Sequence, residues 1–151
     1  MILATGRGKL PSFHRRTTEL AVSPSVLRLF DVAGLQNHLH HPARELAHGL
    51  KQGLDLATAV AARPDVLLLD EPTAGLTAHE REKIGEVLQH LVRDVGVTVI
   101  LIEHDLDFVM RIADRIAVLN QGRLDGLGTH TELLHSSSLY ARLAALQLQS
   151  Q

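Results

Sequence analysis

The sequence predicts an α/β fold with a mostly parallel sheet, and three observations carry that prediction. Two short apolar runs, Val-Leu-Leu-Leu at residues 66–69 and Val-Thr-Val-Ile-Leu-Ile at residues 97–102, are too short for helices and read as buried strands, the first on both faces. Between them Ile84, Val87, Leu88, Leu91, Val92 and Val95 recur at helical spacing, so strand, helix and strand form a right-handed parallel crossover. Polar residues then cluster where each strand ends: Asp70 and Glu71 after the first, Glu103, His104 and Asp105 after the second. In open α/β sheets that carboxyl edge is where ligands sit.

A chain of 151 residues with 45% apolar content suits one domain of ordinary size with a real core. Its 15 basic and 17 acidic residues leave a net charge of −2, which gives no general electrostatic reason to bind a membrane surface or nucleic acid, and no nucleic-acid partner is expected. There is no cysteine, hence no disulfide framework and no thiolate metal site. No apolar run approaches the roughly 18 residues needed to span a bilayer, and a cytoplasmic location is expected.

Taken in order, residues 1–28 hold Arg7, Lys9, Arg15, Arg16 and Arg28 against Glu19, so this stretch carries +4 and the remainder −6. Without periodicity, and with Pro11, Pro24 and scattered Ser and Thr, residues 1–24 read as a loosely ordered basic arm. A transit peptide is the other reading of an Arg-rich start, opposed by Glu19 and the lack of a clear amphipathic face. Gly8-Lys9 supplies only the G-K step of a phosphate-cradling loop: Leu3 stands where its first glycine belongs, Leu10 replaces the hydroxyl, and Pro11 breaks the first turn of the helix.

Residues 25–35 suggest a short helix with Val26, Leu27, Phe30, Val32 and Leu35 apolar, ending at Gly34. His38, His40 and His41 follow; lacking carboxylates or cysteines at ligand spacing and closed by Pro42, they read better as a solvated loop than as a metal site. Residues 46–50 open a helix with Leu50, Leu54, Ala57 and Ala61 on its apolar side, stopped by Pro64. A glycine-containing turn feeding a helix N-terminus is an anion site by geometry, though a weak signal alone. Thr77-Ala78-His79-Glu80 is a capping box for the crossover helix, which Gly96 terminates. Residues 105–113 give a short helix, 115–119 a third strand, and Asn120-Gln121-Gly122 a hairpin turn into residues 123–127. Thr129 or Thr131 caps the next helix, and Leu139, Tyr140, Leu143 and Leu146 line one face of the last.

The acid pair suits phosphoryl transfer, in which one carboxylate holds Mg²⁺ beside the phosphates and the other orients the attacking water. The alternative is that Asp70 caps the following loop and Glu71 is merely solvated. His104, on the same edge, suits a contact to a terminal phosphate, with a structural histidine as the alternative.

From about residue 27 to residue 146 the chain resembles the C-terminal half of an ATP-binding-cassette (ABC) ATPase, a partial P-loop NTPase fold of three layers. Residues 46–50 stand at the signature turn, 66–71 at Walker B, Ala74, Gly75, Leu76 and Thr77 at the D-loop, and His104 at the switch histidine. His-Gly-x-Lys-Gln at residues 48–52 and Ile-Glu-His-Asp at 102–105 resemble the branched-chain amino acid and urea importer branch; residues 128–134 and 139–143 are more like the ends of exporter cassettes. The resemblance implies ATP and Mg²⁺ as ligands, with Asp70 holding the metal through the nucleotide, Glu71 and His104 catalytic, and Ala47, His48 and Gly49 offered in trans to a partner's nucleotide. It further implies a second cassette chain, membrane permease subunits, and a peripheral position at the inner face of the cell membrane. Residues 25–63 would then be a remnant of the helical subdomain and 64–151 the end of the ATPase core.

The departures are equally specific. A Walker A loop, the aromatic that precedes it and the Q-loop glutamine are missing, Ala47 replaces the usual serine, Leu50 the usual glutamine, and Thr77 the D-loop aspartate. The expected function is therefore a truncated ATP-binding subunit of an ABC-type transporter that needs another chain for Walker A; the alternatives are a non-catalytic interaction subunit or an inactive fragment. The resemblance also leaves vacant the strand position beside residues 97–102, which residues 2–5 are expected to fill ahead of Gly6.

Overall fold

Proline at the first helical position has no N–H to leave unsatisfied, and here the first helix of the computed structural model, α1 (Pro24–Val32), starts on one. Residues 24–148 are the ones the structure describes, so the basic arm, residues 6–9 and the expected insertion of residues 2–5 lie outside them. The chain divides into two compact units, one ending at Ile102 and the other starting at Glu103.

In the first unit α1 buries Val26 and Leu29 and gives way to Gly34 at φ +71°. The three histidines fall in and around a short 3₁₀ turn (Gln36–His38), with the His38 and His41 rings 5.3 Å apart, and a second such turn spans Ala43–Glu45. Among the described residues no three His, Asp or Glu side chains gather into a metal-binding group. Helix α2 (His48–Ala61) buries Gly53, Leu56, Ala57 and Val60. That stripe is rotated from the expected one: Leu50 and Leu54 are half-buried and Ala61 is exposed. Gly53 explains the rotation, because a Cβ there would stand 3.0 Å from the Ala33 Cβ, so α1 closes on α2 along its glycine.

Strand β1 (Val66–Asp70) and strand β2 (Thr98–Ile102) pair in parallel, Leu68 opposite Ile100 and Asp70 opposite Ile102. Between them α3 (Ala78–His90) starts at the predicted capping box, with the Thr77 hydroxyl accepting from the Glu80 N–H and the Glu80 carboxylate from the Thr77 N–H. The helix widens into a π turn (Leu91–Val95) before Gly96, at φ +79°, ends it. In that wide turn Leu91 is fully buried while Val92, expected on the apolar face, is exposed.

The expectation of strands buried on both faces is corrected. Leu67 is buried, whereas Val66, Leu68, Ile100 and Ile102 on the other face are 49–68% exposed. An uninterrupted apolar run satisfies a two-sided environment, but nothing in four successive aliphatics reveals that only one side is covered.

The second unit contains α4 (Leu106–Ile112), capped by the Asp105 carboxylate, then an antiparallel hairpin of β3 (Ile116–Asn120) and β4 (Arg123–Gly128). Gln121 and Gly122 both take positive φ, +50° and +76°, which is the backbone a two-residue hairpin turn of matching twist requires. Helix α5 (His130–Ser136) is capped by Thr129, not Thr131, and α6 (Ser138–Leu148) follows at once. Val118, Leu133 and Tyr140 form the core of this unit, with Leu106, Ile116 and Leu139 packed on it. The last helix is turned from the expected face: Tyr140 and Ala144 are buried, while Leu143 and Leu146 are 47% and 60% exposed. The tyrosine sets that rotation, since its hydroxyl bonds His130 Nδ1 at 2.8 Å and its N–H donates to the Ser137 hydroxyl at 3.1 Å.

Gly122→Ala forces a Cβ into left-handed backbone and is expected to cost about 1–2 kcal/mol. Thermal unfolding checks this as a midpoint lowered by a few degrees, with the rest of α5 and α6 unchanged in circular dichroism.

Candidate functional site

The end of β1 is built around an unusual backbone. Asp70 is the last strand residue and is exposed on the open face. Glu71 then takes φ +45°, a left-handed conformation that costs a non-glycine residue about 1–2 kcal/mol. Its N–H donates to the Ile102 carbonyl at 2.9 Å, extending the parallel ladder one bond past the strand, and its own carbonyl accepts the Ala74 N–H at 3.1 Å. Pro72 and Thr73, both buried, fix the turn that follows. Strain of this kind persists only where surroundings over-determine it, and it recurs at functional sites.

Two of the expected site segments meet in this unit. At the start of α2, Leu46 is buried and Ala47 is the N-cap, with no side-chain cap bond because its methyl has replaced any hydroxyl. Here His48 Nε2 lies 3.3 Å from the Ala74 carbonyl, so that nitrogen carries the proton and donates. The neighbouring Gly75 sits at φ +72°, and a Cβ on it would stand 3.6 Å from the His48 ring. A second link runs from the Gly49 N–H to Glu80 Oε1 at 3.2 Å. The other oxygen of that carboxylate, Oε2, accepts from the Thr77 N–H at 2.9 Å and the Thr77 hydroxyl at 2.8 Å. These donors, Thr77 first and then Gly49 with the nearby His48, hold the Glu80 carboxyl below its ordinary value against a smaller opposing effect of burial.

Ala47, His48, Gly49, Ala74, Gly75, Leu76 and Thr77 are thus joined in one place, and Glu71 is bonded into the same loop through Ala74. His104 belongs to the second unit. Its ring is largely exposed, 3.9 Å from the carboxylate of Glu103, whose own side chain is fully buried. Glu80 is the residue that sequence reasoning missed as part of the site. Its capping role was visible from the Thr-x-x-Glu spacing, but its bond to Gly49 spans 31 positions and leaves no local mark.

Comparison with known proteins places these features. The family model for ABC transporters matches residues 14–74, which include the α2 turn and the Asp70-Glu71 pair. LivG of Escherichia coli, a high-affinity branched-chain amino acid transport ATP-binding protein, is 37% identical over 87% of this chain and 51% of its own length. The chain belongs to the ABC transporter ATP-binding family. CysA of Mycolicibacterium paratuberculosis, a sulfate/thiosulfate import ATP-binding protein, is 40% identical over 79% of the chain and 33% of its own. PotA of Mycoplasma mycoides, a spermidine/putrescine import ATP-binding protein, is 35% identical over 79% and 34%. The crystal structure of the ADP conformation of MJ1267, an ATP-binding cassette of an ABC transporter, matches in fold with a TM-score of 0.65 at 23% identity, over 80% of this chain and 48% of its own. The chain therefore spans about half the length, or less, of these ABC relatives. No described helix is long and apolar enough to cross a membrane.

Two substitutions test this local physics. Ala47→Ser gives α2 the acceptor its N-cap lacks and is expected to stabilise by about 1 kcal/mol, read as a thermal midpoint raised by about 2–4 °C. Glu71→Gly removes the left-handed penalty and is expected to unfold at a higher midpoint than Glu71→Ala, which loses the same carboxylate and keeps the strain; equal midpoints would show that the turn is unstrained.

Proposed function

We propose that this chain acts within an ABC-type importer as an ATP-binding subunit that couples ATP binding and hydrolysis to transport across the membrane, with the phosphate-cradling loop supplied by a further polypeptide segment. The observation that carries the reading is the strained Glu71 set immediately after the exposed Asp70 at the carboxyl end of β1. Two carboxylates held this way suit the work of gripping a hard cation and orienting water.

The donor set fits magnesium when phosphates complete its shell, because Asp70 and Glu71 offer two carboxylates and no third His, Asp or Glu joins them among the described residues. Bound Mg-ATP supplies the transferable phosphoryl group. Asp70 would hold the metal against the phosphates. Glu71 would orient the attacking water and take its proton, and His104 would donate to the terminal phosphate. Ala47, His48, Gly49 and the loop Ala74, Gly75, Leu76 and Thr77 would face the nucleotide site of a second cassette chain. Without a hydroxyl at position 47 that contact rests on backbone N–H groups. Permease subunits in the membrane are the remaining partners, which places the assembled protein at the inner face of the cell membrane. Relatives named for sulfate, branched-chain amino acids and polyamines support an importer without singling out a transported solute.

Calorimetry of the purified chain with Mg-ATP is expected to give no saturable heat, since no described loop cradles the β- and γ-phosphates; micromolar binding would overturn the need for a further segment. When a segment carrying Walker A restores ATPase activity, Glu71→Gln should abolish turnover and leave nucleotide bound, while Asp70→Asn weakens Mg²⁺ retention. A Glu71→Gln protein that keeps most of the restored rate would refute the general-base role.

A further inference from the structure

One carboxylate in the first unit serves two segments that are distant in sequence. Glu80 Oε2 closes the capping box with Thr77, as any glutamate at that helical position does, whereas Oε1 turns away from the helix and accepts the Gly49 N–H at 3.2 Å. The chain contains its own control. In the second capping box Glu132 Oε2 accepts from the Thr129 N–H at 2.8 Å, and the hydrogen bonds of that carboxylate stay within its own turn.

The glycine opposite is fitted to this contact. A Cβ on Gly49 would stand 2.8 Å from Glu80 Cγ and 2.9 Å from Oε1, closer than real side chains come, and a tight 3.1 Å from its Cβ, so the Glu80 side chain would have to shift. Gly49 shows no left-handed φ, so its glycine character is explained by close approach to Glu80. A parallel strut, from His48 Nε2 to the Ala74 carbonyl, joins the same two segments one residue along on one side and three to six residues away on the other.

We propose that Glu80 is a positioning residue that pins the turn at Ala47, His48 and Gly49 to the loop at Ala74, Gly75, Leu76 and Thr77, so that both are presented to a second cassette chain as one rigid surface. This rests on reading those segments as the faces that meet such a chain. Two charge-assisted bonds on opposite oxygens of one side chain fix an angle as well as a distance, which a single cap bond does not. The Thr77 and Gly49 donors lower the proton affinity of Glu80, so the pin stays charged, and therefore closed, to a more acidic pH than an ordinary glutamate would.

The test uses the full chain alone, so its result stands whether or not the reading of the partner surface holds. Amide resonances of Gly49 and Thr77 are followed by nitrogen-proton NMR through an acid titration of wild type and Glu80→Gln, together with hydrogen exchange. Both amides are expected to shift with one common midpoint below the ordinary carboxylate range, and both responses to vanish in Glu80→Gln. Alanine removes both acceptor oxygens, so in Glu80→Ala Gly49 exchange should accelerate about tenfold while Leu56 and Ala57 in the middle of α2 hold their rates. A Gly49 amide indifferent to this titration, or equal acceleration along the whole of α2, would reduce Glu80 to a cap of α3. A mutant cycle adds a second reading: Gly49→Ala should destabilise the wild type markedly more than it destabilises Glu80→Ala, and strictly additive effects would overturn the pin.

Discussion

The hydrogen bond from the Glu71 N–H to the Ile102 carbonyl is the interaction on which the backbone at the end of β1 depends. It continues the β1–β2 ladder by one residue and so converts a strand end into a defined point. Without it the left-handed Glu71 would relax toward an ordinary loop, because nothing intrinsic to glutamate favours φ +45°. The buried Pro72 and Thr73 then carry the chain away from the sheet, and the Ala74 N–H returns to the Glu71 carbonyl. A parallel pairing, usually discussed as scaffold, here sets where a carboxylate stands.

What could be read from the amino acids, and what could not, divides by range. The capping box at Thr77 was legible because its partners are three residues apart, whereas the choice between Thr129 and Thr131 as the later cap was settled only by the structure; the Asn120-Gln121-Gly122 turn was legible from its glycine. The crossover was legible from a change of hydrophobic period between residues 66 and 102. The pair Asp70-Glu71 could be located, but not the strain at Glu71, since Asp-Glu-Pro is compatible with several turns. The rotation of α2 about Gly53 and of α6 about Tyr140 was beyond reach: each is fixed by a neighbour that approaches in space, and the apolar stripe alone allows a shift of one position.

The open face of the β1–β2 pair shows the same limit from the side of energetics. Val66, Leu68, Ile100 and Ile102 are aliphatic residues whose full burial would contribute about 1.5–3 kcal/mol each, and at 49–68% exposure much of that gain is unrealised among the described residues. Composition fixed these residues as core-forming, and their register puts all four on one side together with Asp70. The exposed leucines of the hairpin, Leu119, Leu124 and Leu127, show the same mismatch in the second unit.

The replacement at position 47 and the carboxylate at position 80 bear on a single helix end. The first N–H groups of α2 need acceptors, and an N-cap side chain is the usual local source. Alanine supplies none. Glu80 meets part of that need from across the unit, placing a negative charge at the positive end of α2 as well as accepting the Gly49 N–H. A hydroxyl cap would stabilise α2 within its own turn and leave the loop at residues 74–77 independent of it. A carboxylate donated from the start of α3 stabilises α2 only while the two segments stay in register, so the stability of the helix end and the geometry of the loop become one quantity. Loss of the local cap therefore raises the dependence of the turn on Glu80, and the same substitution that removes a hydroxyl from the surface tightens the coupling beneath it.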